Sequence, residues 1–285
     1  MPGILHLVAT PIGNLEDITL RALRVLREVS LVAAEDTRRT GVLLAHFSTR
    51  TTVESLHEHN EEARIPEILA RLAQGESVAL VSDAGTPLLS DPGARLVRAA
   101  LAAGIRVEAV PGASAVVTAL VGSGLPADTF AFLGFVPARA AERRRWLLAA
   151  GAEPRTVVFF EAPHRIRDTL AEAFALLGDR EVVIARELTK VHEEYIRGTL
   201  GSVFGHLPEP RGEFTVVLAA APAEPPPHPL DDAGAWQEFQ DLTARGGLSR
   251  REAVSALARR HGLPARDVYA AIERAKSRAA ATDRT

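Results

Sequence analysis

Ser77-Val78-Ala79-Leu80-Val81-Ser82-Asp83-Ala84-Gly85-Thr86-Pro87 is a short apolar run that opens abruptly into small residues, glycine and proline. The run is what a buried strand needs, and the loop after it leaves backbone amides and carbonyls uncovered by bulky side chains. The same change of character recurs three times. Ile4–Ala9 runs into Thr10-Pro11-Ile12-Gly13-Asn14, Leu31–Ala34 into Glu35-Asp36-Thr37-Arg38-Arg39, and Arg106–Val110 into Pro111-Gly112-Ala113-Ser114-Ala115. Thr19–Glu28, Asn60–Gln74 and Gly93–Ala103 have the amphipathic spacing of intervening helices. In the last, Leu96, Val97, Ala100 and Leu101 form the apolar face and Gly104 is the stop. Strands alternating with helices predict an α/β lobe with a parallel sheet. Ligands of such open sheets gather outside the carboxyl ends of the strands. Each loop alone reads equally well as turn chemistry; four on one edge predict a shared pocket.

From Thr129 the rhythm changes. Thr129–Phe135, Thr156–Phe160, Glu181–Ala185, Tyr195–Thr199 and Phe214–Ala220 read as strands, with Arg165–Leu177 as the one long helix among them. Denser strands with fewer helices predict a mixed sheet, and Gly122-Ser123-Gly124-Leu125-Pro126 is a plausible hinge before it. Five of the nine residues in Ala221–Pro229 are proline, the composition of an extended spacer. Beyond it Asp231–Arg245, Arg250–His261 and Pro264–Ser277 read as helices, with Ser249 and Glu252 at capping-box spacing. The expected organisation is an amino-terminal lobe over 1–121, a second lobe over 122–220, a linker over 221–230 and a helical, helix-turn-helix-like domain over 231–285.

Composition removes several function classes. The chain has 285 residues, long for a single core, and no cysteine, which excludes disulfides, thiolate metal sites and thiol nucleophiles. That fits a reducing cytoplasm. The first nine residues lack the basic start of a signal peptide, and no apolar stretch reaches the roughly 18 residues that span a bilayer. Net charge is −3, with 23 basic and 28 acidic residues in 1–230 against 10 and 8 in 231–285. A whole-protein field that attracts nucleic acid is absent, so RNA contact must come from local patches.

No Gly-x-Gly-x-x-Gly and no phosphate-loop lysine motif occurs, which weighs against dehydrogenase and ATPase readings. A ligand without phosphate suits the loops better. A methyl donor with an adenosine, a carboxylate, an amine and a sulfonium would be met by backbone groups and a few carboxylates, and Asp83 is the leading partner for its cation; the alternative for Asp83 is a turn cap. Asp91-Pro92-Gly93 reads as a cap for the helix that follows. His57-Glu58-His59-Asn60 superficially resembles a metal tract but lacks further ligands at suitable spacing, so no metal is expected. Phe159-Phe160-Glu161-Ala162-Pro163-His164-Arg165 exposes a carboxylate, an imidazole and a guanidinium after a strand. Arg186-Glu187-Leu188-Thr189-Lys190 is a second polar set, and Arg139 with Arg143-Arg144-Arg145 is a basic patch that reads equally as a solvated helix face.

Taken in order, Val8–Leu15, Ala34–Arg38, His57–Asn60, Ser82–Pro87, Ser90–Gly93, Pro111–Ala113, Glu161–Arg165 and Arg186–Leu188 resemble the ribosomal small-subunit RNA methyltransferase I family, which is similar in fold to the tetrapyrrole methylases. The resemblance spans residues 4–220 and implies a two-lobed tetrapyrrole methylase-like fold, that of a class III methyltransferase, with a small carboxyl-terminal helical domain. It implies S-adenosylmethionine as methyl donor, 16S rRNA as partner within an assembled or nearly assembled 30S subunit, and the 2′-oxygen of cytidine 1402 as target. It further implies a homodimer in the cytoplasm. The donor would touch Pro11, Ile12, Gly13, Ser82, Asp83, Ala84, Gly85, Thr86, Ser114 and Ala115, and, from the second lobe, Phe160, Glu161, Leu188 and Thr215. The less glycine-rich first loop speaks against a porphyrin or corrin substrate. A hydroxyl nucleophile needs positioning and a base; Glu187 and His164 are the base candidates, and Lys190 and Arg165 the groups to steady the oxyanion. Arg38, Arg139, Arg143, Arg144 and Arg145 are the candidates for phosphate contact, because guanidinium binds phosphate bidentately.

Overall fold

The computed structural model describes residues 2–207, 211–222, 231–245, 248–261 and 263–282. They fall into two compact units, Met1–Ala221 and Pro222–Thr285. Residues 223–230 of the proline-rich run, and the glycine breaks at 246, 247 and 262, lie outside the described residues.

The larger unit begins with a five-stranded parallel sheet of β1 (Ile4–Val8), β2 (Leu31–Ala34), β3 (Val53–Ser55), β4 (Val78–Val81) and β5 (Arg106–Val110), in the order β3-β2-β4-β1-β5. Parallel neighbours need crossovers, and α1 (Leu20–Glu28), α2 (Thr37–His46), α3 (Glu61–Ala73) and α4 (Ala94–Ala102) supply them. Every residue of β2 and β4 is buried, because both faces of the sheet are covered. Leu5, Leu31 and Leu80 pack with Ile68 and Leu96 on one side; Val8, Val32 and Val81 pack with Ala22, Val25 and Leu26 on the other. In this lobe α1, α3 and α4 each start one residue later than expected. At α1 the reason is visible: Thr19 stands outside the helix, its side chain accepting from the Ala22 N–H at 3.1 Å.

Thr37–Arg39, expected as loop after β2, instead form the first turn of α2, capped by the Asp36 carboxylate, which accepts from the Arg38 N–H at 2.9 Å. The expected hinge also moves. Gly122 and Ser123 close α5 (Ala115–Ser123), and the turn starts at Gly124, whose φ of +81° suits glycine.

The second sheet contains β6 (Phe130–Phe135), β7 (Thr156–Glu161), β8 (Glu181–Arg186), β9 (Glu194–Thr199) and β10 (Phe214–Leu218), ordered β6-β7-β10-β8-β9. It is mixed, as its sequence suggested: β6 and β7 are parallel and the other pairs antiparallel. The expectation of one long helix fails. α6 (Ala140–Gly151) equals α7 (Ile166–Leu177) in length, but only its Leu147 and Ala150 are buried, and the arginines at 143–145 obscure its apolar face. One face of this sheet packs on α6 and α7 through Val157, Phe159, Ile184 and Val216. Its other face packs Val158, Val183 and Val217 on Val116, Ala119 and Leu120 of α5, together with Ile12. Helix α5 therefore fastens the two sheets into one body.

The smaller unit consists of α8 (Asp232–Gln240), continued by a wider turn over Asp241–Arg245, α9 (Arg250–His261) and α10 (Ala265–Thr282). Ala235, Phe239, Leu257, Val268 and Ile272 make its own core. The capping box forms: Ser249 N–H donates to Glu252 Oε2 at 2.9 Å, and Glu252 N–H to Ser249 Oγ at 3.4 Å. Among the described residues no helix is long and apolar enough to cross a membrane.

Candidate active site

The first sheet reverses its winding between β4 and β1: the chain moves from β1 outward to β2 and β3, then crosses after β4 to β5 on the far side. Such a switch point leaves a crevice at the carboxyl ends of the strands. Here the two loops hold each other. Thr10 N–H donates to Gly85 O at 2.9 Å, Gly85 N–H returns to Thr10 O at 3.1 Å, and Thr10 Oγ1 donates to Ser82 O at 3.2 Å. Gly85 has φ +78°, and a Cβ there would stand 3.2 Å from Ile12 Cγ2. Only glycine meets both demands.

A cavity of about 390 Å³ opens against these loops and is closed by the second sheet. Of the residues picked out for the donor, Ile12, Asp83, Ala84, Gly85, Thr86, Ser114, Ala115, Phe160, Glu161 and Thr215 line it. Pro11, Gly13, Ser82 and Leu188 do not. Gly13 is instead a point of close approach between lobes: a Cβ there would lie 2.5 Å from Lys190 Cγ and 2.8 Å from Leu188 O. Leu188 is buried with Ile12 in the packing between the lobes.

Several lining residues escaped the sequence reading, among them Glu35, Arg39, Leu89, Asp91, Phe135 and Glu213. Glu35 and Arg39 follow β2 and belong to one of the four strand-end loops, which was the available signal. Asp91 is not the cap of α4. That helix has Gly93 at its cap position, and its free N–H groups at Arg95 and Leu96 donate to Glu61 Oε1 at 2.8 and 3.0 Å, a cap supplied by another helix. Asp91 faces the cavity instead. Burial, then the charges of Glu35 and Asp83, push its carboxyl up to about 6 against the opposing Ser82 hydrogen bond. Burial and the Asp83 charge push Glu35 up as well, against an Asp83 backbone hydrogen bond and the Arg39 charge. Asp83 is not capping its own turn. Its Oδ1 accepts from Asp36 N–H at 3.0 Å, and its Oδ2 lies 3.4 Å from Arg39. The site thus has a wall of three carboxylates with one guanidinium beside it.

None of the four residues advanced for proton transfer or oxyanion stabilisation lines the cavity. Glu187 pairs with Lys190 at 2.9 Å and accepts from Glu213 N–H at 3.0 Å. Burial pushes its carboxyl up, but the Lys190 and Glu213 hydrogen bonds and the charges of Lys190 and Arg186 outweigh this and hold it low, which makes it a poor base. Lys190 also reaches Glu213 at 3.2 Å, so this pair shapes the loop beside Gly13. Arg165 is spent on Glu161, 2.6 Å away. Glu161, whose side chain is fully buried, also accepts from the Thr169 hydroxyl at 2.5 Å and the Ala162 N–H at 2.7 Å. It fixes the turn from β7 to α7. His164 is exposed.

Of the arginines, Arg143 is tied to Glu172 at 2.6 Å, Arg38 to Asp36 at 3.0 Å and Arg139 to Glu142 at 3.2 Å. Arg144 and Arg145 are exposed on α6. The His57–Asn60 tract is a turn: Asn60 Oδ1 accepts from His57 N–H at 2.8 Å and its Nδ2 donates to Ser55 Oγ at 3.1 Å.

Residues 4–203 match the model of the Tetrapyrrole (Corrin/Porphyrin) Methylases. Over 270 residues the chain is 46% identical to Ribosomal RNA small subunit methyltransferase I of Synechocystis sp., covering 94% of this chain and 96% of that one. The chain belongs to the ribosomal RNA small subunit methyltransferase I family. The protein of that name from Escherichia coli O157:H7 is 44% identical over 94% of this chain and 93% of its own. Among solved structures, uroporphyrin-III-C-methyltransferase from Thermus thermophilus superposes with a TM-score of 0.53 at 25% identity, covering 75% of this chain and 94% of that one. Diphthine synthase superposes at 0.62 with 19% identity, covering 76% and 90%. This member of the methyltransferase I family thus carries a tetrapyrrole methylase-like fold and is a methyltransferase.

Proposed function

We propose that this methyltransferase moves a methyl group from S-adenosylmethionine to the ribose 2′-hydroxyl of cytidine 1402 in 16S rRNA. The observation that carries the reading is the 46% identity, across nearly the whole of both chains, with a protein named for small-subunit ribosomal RNA methylation. The nucleotide and the ribose oxygen rest on the family resemblance of the motifs. The cavity suits the donor. Its volume of about 390 Å³ lies in the range of small-ligand sites, roughly 300–1,000 Å³. Its wall offers carboxylates and loop backbone in place of a phosphate nest, and a neighbouring solved structure, uroporphyrin-III C-methyltransferase from Thermus thermophilus, is described as complexed with S-adenyl homocysteine.

When bound, the donor supplies an electrophilic methyl group on a sulfonium. Asp83, Asp91 and Glu35 would hold its positive charge, and Ile12, Ala84 and Val116, which line the same cavity, would give it apolar contact. The ribose oxygen bonds to the methyl carbon as the carbon–sulfur bond breaks, and the hydroxyl proton passes to a carboxylate. Asp91 and Glu35 replace Glu187 as the base candidates, because they face the cavity and burial raises their proton affinity. Closure of the cavity by the second lobe strengthens these charges by excluding water. We infer a cytoplasmic homodimer acting on 16S rRNA within the 30S subunit; for the dimer alone, the exposed Val117 and Val121, one turn apart on α5, offer apolar surface to a second copy.

Tritiated S-adenosylmethionine and 30S particles lacking the modification test the assignment. Label should appear in a 2′-O-methylcytidine after digestion. No transfer to RNA, despite tight donor binding, would overturn it, and transfer to a tetrapyrrole would replace it.

A further inference from the structure

Two large apolar side chains stand at the mouth of the cavity, where methyl transfer gives them no task. Leu89, from the first lobe, is 42% exposed, and Phe135, the last residue of β6, is 55% exposed; both line the cavity. The apolar residues deeper in the lining, Ile12, Val116 and Phe214, are buried. Exposure of Leu89 and Phe135 is not slack at a loose end, because the backbone is specially shaped to present them.

Leu89 is bracketed by Leu88 at φ +74° and Ser90 at φ +72°. Two non-glycine residues in the left-handed region on either side of one leucine is a costly arrangement, and such outliers collect at ligand clamps. On the other side, β6 carries one extra residue against β7: Phe132 pairs with Val158, but Phe135 pairs with Phe160. In an unbroken strand Gly134 would take that place and Phe135 would point to the opposite face. The irregularity, with Gly134 at φ +68°, turns Phe135 onto the cavity side, its ring centroid 5.2 Å from that of Phe160. The two devices meet, since a Cβ at Gly134 would stand 3.5 Å from Ser90 Oγ.

We propose that Leu89 and Phe135 clamp the base of the nucleotide whose ribose is methylated, with that base stacked on the Phe135 ring. This rests on the reading of RNA as substrate. A ribose delivered into the cavity brings its base along, and an unstacked base needs a flat apolar partner to replace its neighbours in the strand. Phe135 supplies the flat surface, Leu89 lines the same cavity from the other lobe, and Arg39, whose side chain is 65% exposed there, offers a cation for the adjoining phosphate. The donor's adenine shares the chemistry of a base. The deeper apolar residues suit adenine, and the mouth suits the nucleotide that enters last.

Phe135→Ala, Phe135→Tyr and Leu89→Ala test the clamp, with folding checked by thermal melting. Phe135→Ala should lower kcat/KM for 30S particles about tenfold, the usual size of a lost stacking contact. Donor affinity by calorimetry should stay within about twofold, and Phe135→Tyr should restore the rate. Leu89→Ala should weaken 30S turnover in the same direction. Unchanged kcat/KM in Phe135→Ala overturns the clamp, and a matching loss of donor affinity assigns the ring to adenine and overturns it equally. If the wild-type protein methylates no RNA, the substrate reading falls and the clamp with it; an active wild type with an indifferent Phe135→Ala removes the clamp alone.

Discussion

Asp91 shares its wall of the cavity with Glu35 and Asp83, and among the described residues the only counter-charge lining that cavity is Arg39. Its carboxyl, pushed up to about 6 from an ordinary 3.8 by burial and then by Glu35 and Asp83, binds its proton more tightly folded than unfolded. Stability contributed by this group therefore falls as pH rises from about 4 to about 6, then levels off. A bound cation has the opposite preference, because it favours the ionised carboxylate. Donor affinity should accordingly rise severalfold between pH 5 and pH 7, with Glu35 adding in the same direction and Arg39 unchanged in charge. Calorimetric titration at pH 5, 6 and 7 measures this. Asp91→Asn should flatten most of the slope and Glu35→Gln the remainder, while a flat wild-type profile would take Asp91 out of the donor site. The sequence could place this aspartate beside a helix start but could not aim it. Capping is a local habit of Asp before a helix, whereas the group that caps α4 is Glu61, 34 residues earlier than Arg95, and no local pattern announces such a partner.

Helix α3 positions α4 through that same glutamate, which is 6% exposed and accepts from two backbone N–H groups at once. Glu61→Ala should cost about 2 kcal/mol, since the acceptor of two partly or fully buried donors disappears. Glu61→Gln should cost less, because its amide oxygen still accepts. Urea unfolding of the three proteins decides the matter, and equal midpoints for Glu61→Ala and wild type would show that water serves these donors as well. The strands other than β3 could be read as short apolar runs, since both faces of the central ones are covered, and α1, α3, α4 and α7 because burial on one side writes itself as periodicity. The helices that could not are those where it does not. In α5 the residues are apolar nearly all round, with Val117 and Val121 exposed opposite the buried Val116, Ala119 and Leu120. In α6 only two residues are buried. In α2 a glycine at 41 and two threonines dilute the pattern. Strand β3 has three half-buried residues, too few to make a run. The misread site residues have a related cause. Glu187, Lys190, Glu161 and Arg165 look like free chemistry in sequence, but they neutralise one another, and ion pairing depends on a fold that brings loops together.

Both lobes that line the cavity belong to the unit Met1–Ala221, and its last residue is tied in, Ala221 N–H donating to Glu153 O at 2.9 Å. The helices α8, α9 and α10 close a core of their own. The donor cavity therefore belongs to the larger unit alone, and we propose that the smaller unit adds RNA contacts of its own to those at the cavity mouth. Residues 1–221 carry an excess of four acidic residues, whereas 222–285 carry an excess of one basic residue. An acidic body gains little from a polyanion at long range, and a basic appendage offers local phosphate contacts that release counterions. A chain ending at Ala221 should fold and bind donor within about threefold of the full protein, yet methylate 30S particles at least about tenfold more slowly at physiological salt. Calorimetry and single-turnover methylation, run on both chains across a salt series, measure the two effects separately. The full chain should lose activity more steeply with added salt than the truncated one. Equal rates and equal salt slopes would assign all RNA contact to the larger unit, and with it to the exposed Arg144 and Arg145 of α6. A loss of donor binding in the truncated chain would show instead that the larger unit needs the smaller one to hold its cavity in shape.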